Sequence, residues 1–187
     1  MVLEKLIEEK IIALLPVYLA MKGNCTRVIT LKGGSYEIER TVKTVLKQMS
    51  KFFLVDLNHI KAYYGNLLNV KNLTPIPFNK DHIFIPVKVR RPIARNDGSL
   101  GYINISYIKK VVSIKGKTKI ILTNNNSIDS LNSLETVNKH IKNGNIVKKL
   151  IQEKDYTYIY DEYDKPATKG DVVMIINELL RIRETIK

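Results

Sequence analysis

Fifteen lysines and arginines fall between residues 41 and 119, against only Asp56, Asp81 and Asp97, so 79 residues carry a net charge of +12. The rest of the 187-residue chain is close to neutral, with 6 basic and 5 acidic groups in residues 1–40 and 10 of each in residues 120–187. Ammonium and guanidinium groups at this density neutralise phosphates and release counterions. A fold that tolerates their self-repulsion has a polyanion to meet. The densest run is Val87-Lys88-Val89-Arg90-Arg91-Pro92-Ile93-Ala94-Arg95-Asn96-Asp97-Gly98. It sets Lys88, Arg90, Arg91 and Arg95 on a strand end and the loop after it, with Pro92 stiffening the turn. Arginines so presented suit the enhanced negative potential of a narrow A·T minor groove. A second set, Lys109, Lys110, Lys115, Lys117 and Lys119, lies on a following hairpin and suits phosphate anchoring. Solvated charges that keep a sheet edge from aggregating are the plainer reading of the first of these hairpins.

Other chemistry is sparse. His59, His82 and His140 are scattered, and none stands at metal-ligand spacing from another. The chain has no GxxxxGK[ST], GxGxxG or GxSxG motif. Cys25, the only cysteine, has a cationic neighbour in Arg27 but no positioned histidine, and one cysteine cannot form a disulfide framework. The basic block lacks the carboxylates that a magnesium-dependent nuclease needs. The expectation is no catalytic residue, no metal and no cofactor. Glu4, Glu8 and Glu9 oppose a signal peptide, and runs such as Ile11–Met21 and Val172–Ile176 are too short to span a bilayer. A reducing cytosol is the expected compartment, with no membrane association.

The elements that must position these groups can be read from periodicity. Residues 3–8 suit a short helix, and Ile11–Leu19 reads as a strand that Pro16 would confine to a sheet edge. Arg27–Leu31 reads as a second strand, turned at Lys32-Gly33-Gly34. Val42, Val45, Leu46, Met49, Phe52 and Phe53 then follow helical spacing after Thr41 as cap, with Lys43, Lys47 and Lys51 forming a cationic stripe. Asp56 caps a second helix that buries Leu57, Ile60, Tyr64 and Leu67 and ends or bends at Gly65. These two helices offer a helix-turn-helix alternative, although Lys61 is the only cation on the would-be reading helix. Pro75 and Pro77 impose extended backbone. Strands follow at Ile83–Val89, Tyr102–Ile114 (bulged near Tyr107) and Lys119–Thr123. After Asn124–Asn126, a helix is expected at about 133–143, capped by Asn132 with Glu135 and interrupted at Gly144. The Tyr-rich acidic stretch Asp155–Asp164 reads as an edge strand or connector. A last helix starts with Thr168 and Asp171 at capping-box spacing and aligns Val172, Ile175, Ile176, Leu179 and Ile186. Its broad apolar stripe suits self-association or packing on its own domain. The fold class expected is α+β: mainly antiparallel sheet and hairpins with flanking helices, residues 1–150 forming one domain and 151–187 an acidic connector and C-terminal helix.

The runs Leu73-Thr74-Pro75-Ile76-Pro77-Phe78, Ile83-Phe84-Ile85-Pro86 and Gly101-Tyr102-Ile103-Asn104-Ile105-Ser106-Tyr107-Ile108, with Lys119–Leu122 and Asn124–Ile128 behind them, resemble the ComK-type competence transcription factors. Upstream, Ala13-Leu14-Leu15-Pro16 and Lys61-Ala62-Tyr63-Tyr64-Gly65 are similar to that family's early strand and helix end, so the likeness covers residues 11–150. It implies a DNA-binding regulator of the cytoplasm and nucleoid that prefers AT-rich duplex and acts as a homodimer or higher assembly. The expected DNA contacts are Lys88, Arg90, Arg91 and Arg95, then Lys109, Lys110, Lys115 and Lys117, with Lys61. The competing expectation is a non-enzymatic protein that antagonises a related regulator or binds an acidic protein partner. A nucleic-acid-processing enzyme ranks last.

Overall fold

The computed structural model describes residues 2–94, 97–114, 116–163 and 168–185. Helix α1 (Val2–Glu8) leads into β1 (Ile11–Leu19), β2 (Gly23–Thr30) and β3 (Ser35–Ile38). Helices α2 (Val42–Phe52) and α3 (Leu57–Leu67) follow, then β4 (Ile76–Pro77), β5 (Ile83–Lys88) and β6 (Leu100–Asn104). A 3₁₀ turn at Ile105–Tyr107 precedes β7 (Ile108–Ile114), β8 (Lys117–Leu122), β9 (Ser127–Ser130), α4 (Leu134–Tyr163) and α5 (Lys169–Thr185). The strands form a six-stranded antiparallel sheet, β3-β2-β1-β6-β5-β4, and a three-stranded one, β7-β8-β9. The α+β class is as expected. The chain divides into two compact units, Met1–Ile151 and Gln152–Lys187.

In the first unit the central strands of the large sheet are buried on both faces, which is why β1 and β5 read as near-continuous apolar runs. Ile83, Ile85 and Val87 of β5 enter one core, while Phe84 between them enters the other. In β1, Ile11 and Leu14 point to one side and Ile12 and Ala13 to the other; a bulge between Ile11 and Ala13 absorbs the extra residue. The first core is closed by Ile120, Leu122 and Ile128 of the small sheet and by Val137 and Val147 of α4. The second is closed by Leu6 and Ile7 of α1 and by Val42, Val45, Leu46 and Met49 of α2. Each fully buried Ile or Phe contributes about 1.5–3 kcal/mol of transfer free energy, so these two layers fix the sheet.

Several local expectations are corrected. Strand β1 lies inside the sheet; Pro16 is tolerated because pairing with β6 is limited to Ala13↔Ile103 and Leu14↔Tyr102, leaving that part of β1 with β2 alone. The strand expected over Tyr102–Ile114 is two strands in different sheets, and the phase shift marks the 3₁₀ turn that hands the chain across. Strands β3 and β9 give no sequence signal because four residues carry too little pattern. Leu67 and Phe52 are exposed. Ser133, not Asn132, caps α4 by accepting from the Thr136 N–H at 3.2 Å, while Asn132 Oδ1 takes the Lys88 N–H at 2.7 Å. Helical backbone continues through Tyr163, so the acidic Tyr-rich residues up to there are neither strand nor loop. Asp164 and Ile186 lie outside the described residues.

Two glycines serve close approach rather than helix termination. Helix α3 runs past Gly65, where a Cβ would sit 3.0 Å from the Val70 carbonyl. Helix α4 runs past Gly144, where a Cβ would come within 2.8 Å of Cγ2 of both Ile85 and Ile105. Those methyls are on branched, stiff side chains in the core. Gly144→Ala is therefore expected to destabilise by about 1–2 kcal/mol, because overpacking of roughly 1–3 kcal/mol outweighs the helix gain of up to about 1 kcal/mol. Denaturant unfolding checks this; a stabilised variant would contradict the tight helix–sheet contact.

Candidate nucleic-acid interface

Helix α2 turns Val42, Val45, Leu46 and Met49 inward, and Thr41 caps it by accepting from the Thr44 N–H. Lys43, Lys47 and Lys51 are thereby left on the exposed side. Asp56 caps α3 by accepting the His59 N–H at 2.6 Å, which fixes where Lys61 emerges one turn later. A groove of about 730 Å³ runs between these helices and the loop joining β5 to β6. Lys43, Lys47 and Lys61 line it together with Asp97-Gly98-Ser99, and Leu46, Leu57 and Tyr102 supply apolar lining. Among the described residues none of the three lysines makes a salt bridge. Lys51 does not join them: it faces a separate groove with Glu4, Glu37 and Glu39.

The loop that forms the groove wall is tied down from within. The Asp97 carboxylate accepts from the Tyr18 hydroxyl, from the Ala94 N–H at 2.7 Å and from the Ile93 N–H at 3.2 Å. Arg90 donates from Nε to the Gly98 carbonyl at 2.8 Å and from Nη2 to Asn24 Oδ1 at 2.7 Å. Its guanidinium lies 4.1 Å from the centre of the Tyr18 ring, a cation–π contact. Arg91, Pro92, Ile93 and Ala94 stand exposed beyond this anchor. The bond from Tyr18, then that from Ala94, holds the Asp97 carboxyl below its ordinary range. Desolvation, then the bond to Asp97, raises the Tyr18 phenol.

The residues expected to contact nucleic acid are thus divided. Lys61 lines the groove, and Arg91 is exposed on the adjoining loop. Arg90 is engaged as a brace, a role that no local pattern could disclose because its partners Tyr18 and Asn24 are 72 and 66 residues away. Lys88 is exposed at the end of β5. Lys109, Lys110 and Lys117 are exposed on the small sheet, which covers the face of the large sheet opposite α1 and α2, so the two basic clusters occupy different layers. Lys119 is paired with Asp129 at 3.6 Å. Arg95 and Lys115 lie outside the described residues. Lys43 and Lys47 are absent from the expected contacts although their four-residue spacing was visible; what the sequence lacked was any sign that α3 and the loop close on them.

Comparison of the chain with protein-family models, with curated proteins and with solved structures finds no match in any of the three. No helix among the described residues is long and apolar enough to cross a membrane.

Because the Asp97 carboxyl is depressed, its contribution to loop order is present above the ordinary carboxylate value and lost as pH falls through the lower folded value. Tyr18 is raised, so its contribution is present below pH 10 and lost as pH climbs through its higher folded value. The amide chemical shifts of Ile93 and Ala94 are therefore expected to stay constant from about pH 5 to 9 and to move only in acid or strong alkali. Tyr18→Phe should move them at neutral pH while leaving the unfolding midpoint nearly unchanged; a constant spectrum in that variant would refute the anchor.

Proposed function

We propose that this protein is a duplex-DNA-binding transcription regulator with no enzymatic activity of its own, favouring AT-rich sites in the manner of the competence factors it resembles, and working in the cytoplasm at the nucleoid. The reading is carried by one observation: three exposed lysines from two helices share a groove whose wall is the base of the arginine-bearing loop. Lys43, Lys47 and Lys61 neutralise successive phosphates, and the braced loop carries Arg91 into the adjacent minor groove. Arg90 acts by holding that loop rather than by touching bases. The charge balance supports the same reading. The first unit holds 25 basic and 10 acidic groups, net +15, while the second holds 6 and 8, net −2.

Fluorescence anisotropy with AT-rich and GC-rich duplexes over a range of salt tests this. The triple variant Lys43→Gln, Lys47→Gln, Lys61→Gln is expected to weaken both duplexes alike and to flatten the log–log salt slope by roughly 2–3. Arg91→Ala is expected to cost about 1–3 kcal/mol and to narrow the preference for A·T. Unchanged binding by the triple variant would overturn the groove assignment. Negligible retention of any duplex by the unaltered protein at physiological salt would favour an acidic protein partner instead.

A further inference from the structure

In the second unit, α5 exposes an unusual amount of apolar surface. Val172 is 49% exposed, Ile175 61%, Leu179 60% and Ile182 51%. These four are spaced three, four and three residues apart, and Ile186 continues the series by four in the sequence. That alternation is the a/d repeat of a coiled-coil seam. The neighbouring stripe, Val173, Ile176 and Leu180, also apolar, fails at its next position, which is Arg183. The seam through Val172 is therefore the one that persists along the helix.

The charges beside that seam name its occupant. In this frame Asp171 and Glu178 fall at g, and Ile176 and Arg183 at e. In a parallel pair each g position faces the e position five residues on in the partner, which sets Glu178 against Arg183 twice by symmetry. In an antiparallel pair g meets g, and acid would meet acid. Within its own helix Glu178 meets Arg181 at 3.9 Å, both side chains largely exposed, a contact weak enough to be exchanged.

We propose that α5 associates in parallel with α5 of a second copy of this chain, through Val172, Ile175, Leu179 and Ile182, with Glu178 and Arg183 paired across the seam. The pairing stands independently of the nucleic-acid reading. It spans two heptads, so assembly is concentration-dependent.

Sedimentation equilibrium on the full chain tests it. The weight-average mass is expected to rise with concentration toward twice the 21.5 kDa chain mass. Leu179→Asp should hold it at the monomer value. Glu178→Arg should raise the dissociation constant about tenfold, through two lost pairs and two new repulsions, and adding Arg183→Glu should restore it. Direction is read separately. Cys25 is buried, so a Val172→Cys variant offers one accessible thiol, and oxidation should link 172 to 172. A monomer at every concentration, which would mean that α5 packs on its own chain, overturns the proposal. So does assembly indifferent to Leu179→Asp, failure of the charge exchange to rescue, or absence of the 172–172 link.

Discussion

The structure depends on burying one antiparallel sheet on both faces. Strands β1, β2, β5 and β6 contribute side chains to two separate cores, and the helices and the small sheet close them. The arrangement leaves little tolerance. Where α4 crosses Ile85 and Ile105 only a glycine fits, and where β6 meets β1 a Cβ on Gly101 would lie 2.9 Å from Leu15 and 3.2 Å from the Leu14 carbonyl. Such positions cannot be exchanged without moving packed neighbours.

That constraint also decides where function can reside. With the central strands covered on both faces, the exposed chemistry is left to the outer faces of the helices and of the small sheet and to the loop between β5 and β6. Helix α2 must turn its apolar stripe to the sheet, so Lys43 and Lys47 are forced outward. The loop, eleven residues from Val89 to Ser99, is held by Tyr18 and Asn24 at the far end of the β1–β2 hairpin. With Arg90, Ile93 and Ala94 tied to Asn24, Gly98 and Asp97, Arg91 is presented from backbone that is already held, which would lower the ordering cost of binding a ligand there.

Much of this was legible wherever the determining contact is local. The caps at Thr41, Asp56 and Thr168 bond within three residues of themselves, and each was readable from residue type and spacing. The apolar stripe of α2 was equally plain. What could not be read is long-range. Gly65 and Gly144 looked like helix ends because the sequence signal for a terminus and for a close approach is the same residue. The change of sheet at Ile105–Tyr107 showed as a phase shift without its cause. Arg90 reads from the sequence as one more loop cation beside Arg91 and is instead the brace, since an unpaired guanidinium and an anchored one have the same letter. The convergence of Lys43 and Lys47 with Lys61 and the loop needs the tertiary fold.

The α2–α3 groove and its loop are the proposed docking surface for a duplex. Amide hydrogen exchange on the full chain, with and without an AT-rich duplex, reads that surface directly. Protection is expected at residues 89–94 and 97–99 and in the first turns of α2 and α3, with α1 and β3 unchanged. Protection confined to the β7–β8 hairpin, or none at saturating duplex, would contradict it.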